Sequence, residues 1–420
     1  MTTEDKPGTN EATARPAADE AIAQPVTSAA TAKPAPDARW TDEFLDGMRH
    51  QTDPEADALA RTYFESFPTK EAGMKALFAL KKAYLDVWDA PMPHDLDPGI
   101  RAYFERPVRY PDWVDPARID VASDLFVAYG PISLMTLLLA SAPMFWTNPA
   151  GAHAFYVAAI FSPASVSRRL KLLPLFVLNF ALHGRLAQTV TTWPPYQNDP
   201  ALPPGFSVTK GKGIITVQKL RMAHAVHRIV LTQPHPDPVL NWDKARFGEP
   251  INQEDLAQAT MHFCFTTIDG LAKLGIEQSA DEQEATFLAW KTVSFLLGLR
   301  PELQPADAAE GRALLEASLR RHERPTSDGV ALIKQELAVV RKILPWPLRT
   351  LPGALMRYLL GPKYADMLEV PNPRITLWFL RTFRWLWKDH DLFAWIAERL
   401  SPRLIRWFDT NRKVVSQLKL

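Results

Sequence analysis

The sequence predicts an all-α protein. Apolar residues recur at helical spacing in one segment after another, and helix-start signals precede most of these segments. Alternation of period two is confined to a few residues near 213 to 217, and no repeat at solenoid spacing is present. With 420 residues, 47 % of them hydrophobic, the chain can bury a large core.

Residues 1 to 38 are Ala, Thr, Pro and charge without aromatics, a composition whose burial cannot offset its ordering entropy. They read as a disordered N-terminal tail, followed by a main domain over 39–370 and a Trp/Arg-rich helical extension over 371–420. Folded sequence begins at Trp40. Thr41 caps a helix carrying Phe44, Leu45 and Met48, and Asp53 or Thr52 caps the next, with Pro54 at its first position. Lys70 to Trp88 is amphipathic, and residues 89 to 120, rich in Pro and Asp, read as a long ordered loop.

Leu125 to Trp146 carries no formal charge over 22 residues, long enough for a membrane span. Gly130, Pro131 and Pro143 interrupt it, which favours a buried core helix. The apolar runs Ala154 to Ser167 and Leu172 to Leu182 would complete an interior helix layer. Beyond them Arg185 and Thr189, four apart, are expected to share a helix face, one offering a guanidinium fork and the other a hydroxyl. A buried arginine paired with an acid is the alternative there. Residues 194 to 213 read as a loop and a helix starts at 214. Further helices are expected from Ile251 to a stop at Gly275, and near 279–299, 306–322, 328–342, 349–361 and 375–399.

Several function classes lack support. A net charge of +1 with no long basic run gives no reason to expect nucleic acid. Cys264 is the sole cysteine, so no intramolecular disulfide, CxxC or CxxCH exists. P-loop, GxGxxG, GxSxG and HExxH patterns are absent, as is the paired Glu-x-x-His of di-iron bundles. The N-terminus has no apolar h-region and no twin arginine, so no signal peptide is expected and the cytoplasm is the expected compartment. Arg374 to Phe408 interleaves five tryptophans with arginines. That suits peripheral membrane contact, and equally a helix docking on its own domain or on a second subunit. Oligomeric state is not read from the sequence.

The stretch Lys219 to Arg228, KLRMAHAVHR, concentrates candidate chemistry. His224 and His227 lie one turn apart between Arg221 and Arg228. Arg221, His224 and either His227 or Arg228 are expected to point the same way. One reading is a core histidine satisfied by a carbonyl, with arginines reaching solvent; the other is a helix presenting imidazole and cations to a cofactor. Zinc would need a third ligand that no second His/Asp/Glu cluster supplies. Haem needs one protein histidine, because the porphyrin provides four ligands, with cations for its propionates.

Taken together, these stretches resemble the oxygenase family that includes latex-clearing protein (rubber oxygenase) and the MpaB enzyme. Its R-x-x-H-A-x-x-R matches Arg221, His224, Ala225 and Arg228; its upstream Arg with Thr four residues later matches Arg185 and Thr189. Pro250 to Leu256 match its proline-then-INQEDL segment, and MRHQTDPEAD its D-P-x-A-D element. SAPMFW, Trp290 with Gly298, and Arg357 to Gly361 extend the likeness over about residues 40 to 370. The resemblance implies a globin-like helical core holding non-covalent haem b, with His224 as proximal iron ligand and Arg185 and Thr189 on the distal side. It implies O2 as co-substrate, cleaving or oxidising a C=C bond in an apolar, isoprenoid-like small molecule. The runs 125 to 146 and 172 to 182 would line the substrate cavity. Where some rubber-cleaving relatives carry a lysine before the distal Thr, this chain has Gln188. His227 is a competing ligand. A helical haem- or lipid-binding protein without turnover is the alternative function.

Overall fold

The computed structural model describes residues 38–160, 165–191, 207–342, 344–382 and 392–410. The expected disordered tail lies outside these apart from its last residue, as do 383–391 and 411–420 of the Trp/Arg-rich extension. The described residues are almost entirely helical. Their two strands, β1 (Gln188–Thr191) and β2 (Ser207–Lys210), form one short antiparallel ribbon with Gln188 opposite Lys210. Residues 213–217, where alternation hinted at a strand, belong to a helix.

The first helices start where their caps predict. Thr41 Oγ1 accepts from Phe44 N at the head of Asp42–Arg49, and Asp53 caps Pro54–Glu65. The expected loop over 89–120 is a misreading. Asp97 caps Pro98–Glu105 and Asp115 caps Pro116–Thr136, each with proline at the first position. Asp-Pro here is the same start signal as Asp53-Pro54.

The uncharged run does not stop at its prolines. Pro116–Thr136 continues through a π-helical segment, Leu137–Ser141, into Ala142–Phe145. Together they are long and apolar enough, by length and composition, to cross a membrane. One side of the helix packs on the core: Phe126, Leu134 and Leu137 enter the main core cluster. Leu392–Thr410 lies along it, with Ser401 Oγ donating to Val127 O at 2.7 Å. A Cβ on Gly130 would come within 2.6 Å of Ile405, so the small residue sets this close approach. That part of the Trp/Arg-rich extension docks on its own domain.

The central element is the helix Lys212–Leu231. Ile214 and Val217 join the main cluster, while Met222, Ala225, Val226 and Val230 join a second cluster with Ala56, Ala60 and Tyr84. Behind it runs Ala280–Leu296, capped by Ser279 and Glu282 in a reciprocal box. The expected helix from Ile251 to Gly275 is present as Gln253–Met261, a π-helical His262–Thr266 and Thr267–Lys273. Leu351–Met367 is kinked at Gly361, whose φ of 78° precedes Pro362.

Candidate functional site

Two adjacent faces of the central helix do different work. Arg221 and Arg228, seven residues apart, both turn toward Pro54–Glu65. Arg221 donates to Asp53 at 2.5 and 2.8 Å and to Glu55 at 2.8 Å; Arg228 Nε donates to Asp57 at 2.6 Å. Both carboxylates of D-P-x-A-D thus meet both arginines of R-x-x-H-A-x-x-R. Gly298 completes this junction: a Cβ there would collide with the Asp53 carboxylate and Arg221, and its φ of +86° already favours glycine. The expectation that Arg221 would share a face with His224 is corrected. Three residues leave roughly a 60° rotation, enough to place the guanidinium on the neighbouring face. Lys219 is also structural. Its buried ammonium donates to Val87 O, Trp88 O and Ala90 O and lies 3.9 Å from the Tyr84 ring centroid. Burial lowers its pKa to about 8.

The other face, Leu220, Ala223, His224 and His227, forms part of the wall of a cavity of about 290 Å³. The remaining wall is mainly apolar. Leu138, Phe145 and Trp146 come from the first uncharged run, Leu172, Leu173 and Phe176 from the later one, and Phe263 and Trp290 close it. The two runs expected to line a cavity therefore do so. Three π-helical segments contribute as well: Lys81 from Lys81–Leu85, Leu138 from Leu137–Ser141 and Phe263 from His262–Thr266. Wide turns of this kind aim side chains away from the α-helical direction and are frequent at functional sites.

His224 is partly buried and has no hydrogen-bond partner among the described residues. Burial, reinforced by the Arg228 charge, drives its pKa down to about 3, so the imidazole is neutral. A neutral, unpartnered imidazole at an apolar wall can donate a lone pair to a metal centre. Among the described residues no group of three or more His, Cys, Asp or Glu is arranged to hold a metal ion. A group that brings its own equatorial donors suits this single ligand better than a bare ion does. Lys81, paired with Asp86 at 2.5 Å, is the one Lys or Arg among the described lining side chains.

Arg185 and Thr189 are not brought to this wall. The helix Ser165–Ala181 has ended before Gly184, whose φ is +69°, and Thr189 lies exposed in β1 opposite Thr209. Four-residue spacing therefore does not give them a common helix face. Arg185 Nη2 donates to Asp409 at 2.9 and 3.1 Å, the acid partnership that the sequence left open. Its carbonyl accepts from Gly213 N, about 17 Å along the helix axis from His224. Gln188 is held on the Val108 backbone, accepting from Val108 N at 2.9 Å.

INQEDL forms a buried polar frame beside the cavity. Asn252 caps Gln253–Met261, Gln253 reaches Thr52 O and Gly298 O, and Glu254 takes Arg321 and His322. Asp255 accepts from Asn148 and Asn252 while reaching the cavity; burial raises its pKa to about 6.

Sequence reasoning missed Glu336, which lines the same cavity from Ser327–Lys342. The signal was available. Leu332, Ile333, Glu336 and Leu337 follow helical spacing, so a carboxyl interrupts an apolar stripe.

Residues 177–388, just over half of the chain, match the family model described as ER-bound oxygenase mpaB/B'/rubber oxygenase, catalytic domain. A solved structure of latex clearing protein LCP in the closed state is similar, with a TM-score of 0.62 and 21 % sequence identity. The alignment covers 85 % of this chain and 91 % of that one, a likeness of the whole helical fold. No curated protein sequence matches the chain.

Proposed function

Since this chain belongs to the MpaB and rubber oxygenase catalytic-domain family, we propose that it is a haem b-dependent oxygenase using O2 to oxidise or cleave a C=C bond in an apolar, isoprenoid-like substrate. The observation that carries this reading is His224: a neutral imidazole without a partner among the described residues, at the wall of an apolar cavity. His224 would hold the haem iron through its imidazole, and Lys81, on the same wall, would offer a cation to the propionates. When bound, the haem supplies an iron centre able to activate dioxygen. The chain's own part is to hold and enclose. Asp53 and Asp57 fix the rotation of the central helix through Arg221 and Arg228. Phe176, Phe263 and Trp290 exclude water from the alkene.

Purified protein is expected to show a Soret band and about one haem per chain. Protein that is colourless, iron-free and incapable of reconstitution would remove the haem reading. A second reading, binding without turnover, is favoured by the position of Arg185 and Thr189 away from the cavity. Oxygen uptake with a panel of small terpenoids separates the two.

Work at a cytoplasmic membrane surface belongs to the same proposal. Ile375 and Trp378 on Arg374–Thr382 are 76 % and 59 % exposed, and Trp346 and Leu348 are exposed as well. A hydrogen bond between the exposed Thr350 and Thr376 joins the chain just after Leu348 to this helix.

A further inference from the structure

Glu336 is fully buried, yet neither carboxyl oxygen has a hydrogen-bond partner among the described residues. Buried carboxyls are nearly always bonded, since leaving one bare forfeits the hydrogen bonds it makes to water. This one lies in the wall of the His224 cavity, one turn beyond Leu332. The other titratable groups on that wall are otherwise accounted for. Asp255 is bonded to Asn148 and Asn252, Lys81 to Asp86, itself on the wall, and His224 is neutral; His227 is the fifth. With burial as its cause, the Glu336 pKa rises to about 8, so at neutral pH the group keeps its proton. It then offers the cavity one O–H donor and one carbonyl acceptor.

We propose that Glu336 is the polar anchor of the cavity, binding an oxygen function, a hydroxyl or a carbonyl, on an otherwise apolar substrate. The inference rests on the isoprenoid-oxygenase reading and narrows it to small oxygenated isoprenoids, as opposed to a pure hydrocarbon chain. A hydrocarbon would leave the carboxyl as bare as before. An alcohol satisfies both its donor and its acceptor.

The test is calorimetric titration of the full-length protein, as purified, with farnesol and with farnesene, which share a carbon skeleton but differ in the hydroxyl. Native protein should prefer farnesol by roughly 10-fold. Glu336→Leu should bind the two alike, while Glu336→Gln, which keeps a donor and an acceptor, should retain the preference. Equal affinities in native protein, or a preference surviving in Glu336→Leu, overturn the anchor and leave the isoprenoid reading intact. Binding of neither compound overturns both.

Discussion

Arg228 Nε meets Asp57 Oδ1 at 2.6 Å across 171 residues of sequence, and both side chains are largely buried. Removing one partner of such a pair strands a charge in the interior. Asp57→Ala should cost about 3 kcal/mol of stability, measured by urea denaturation. The double variant Asp57→Ala with Arg228→Met should recover much of that loss. If the double variant is no better than the single one, the pair is not the source of the effect.

His224→Ala is expected to lose the bound pigment or change its axial-ligand spectrum. His227→Ala should keep both. The reverse pattern would move the ligand one turn along the helix. Both residues face the cavity, so the comparison is made within one wall.

Arg185 distinguishes a catalytic from a structural arginine. If it only tethers the helix Leu392–Thr410, then Asp409→Asn should reproduce Arg185→Ala in every readout. Hydrogen exchange over 392–410 reports the tether, and oxygen uptake reports turnover. A loss of turnover confined to Arg185→Ala would assign it a role at the reaction beyond the Asp409 pair.

Glu336 makes stability depend on pH. Its folded pKa of about 8 exceeds the ordinary 4.5, so below 4.5 both folded and unfolded chains hold the proton and no penalty exists. As pH rises from 4.5 to about 8 the unfolded chain releases its proton while the folded one keeps it, and stability falls. Glu336→Gln should therefore melt like the native protein at the acidic end and progressively higher toward pH 8. A thermal-shift series across this range is the check. A gap that stays constant with pH would mean the carboxyl does not titrate as described.

The exposed Ile375 and Trp378 give the membrane reading its handle. Replacing both by serine should reduce binding to anionic vesicles by roughly 10-fold or more in a flotation assay, with melting unchanged. Unchanged binding would leave that surface to some other purpose.

The helices were legible because caps and apolar spacing act locally. Where the reading failed, context had been misjudged. Asp97-Pro98 and Asp115-Pro116 carry the signal used at Asp53-Pro54, but the surrounding prolines disguised it as loop. Pro131 reads as a helix break from the sequence, although Pro116–Thr136 runs through it unbroken. His224 was identifiable as a candidate from its own stretch and its company. The fates of Arg221 and Arg228 were not, because Asp53 and Asp57 lie far away in the chain. The spacing of Arg185 and Thr189 suggested a shared face only so long as Gly184 was assumed to continue a helix. Glu336 was hidden by the habit of counting glutamates as surface.

The three π-helical segments around the cavity bear on how such a site can diversify. A wide turn holds one residue more than the α-helix needs, so it is the trace of an insertion that the fold absorbed. Deleting a single residue from Leu137–Ser141 would restore α geometry there and leave Pro116–Thr136 and Ala142–Phe145 in their present relative rotation. Leu138, inside the wide turn, would then be re-aimed, while Phe145 and Trp146 kept their place in the wall. The cavity wall is thus open to revision by insertion and deletion, one residue at a time, as well as by substitution.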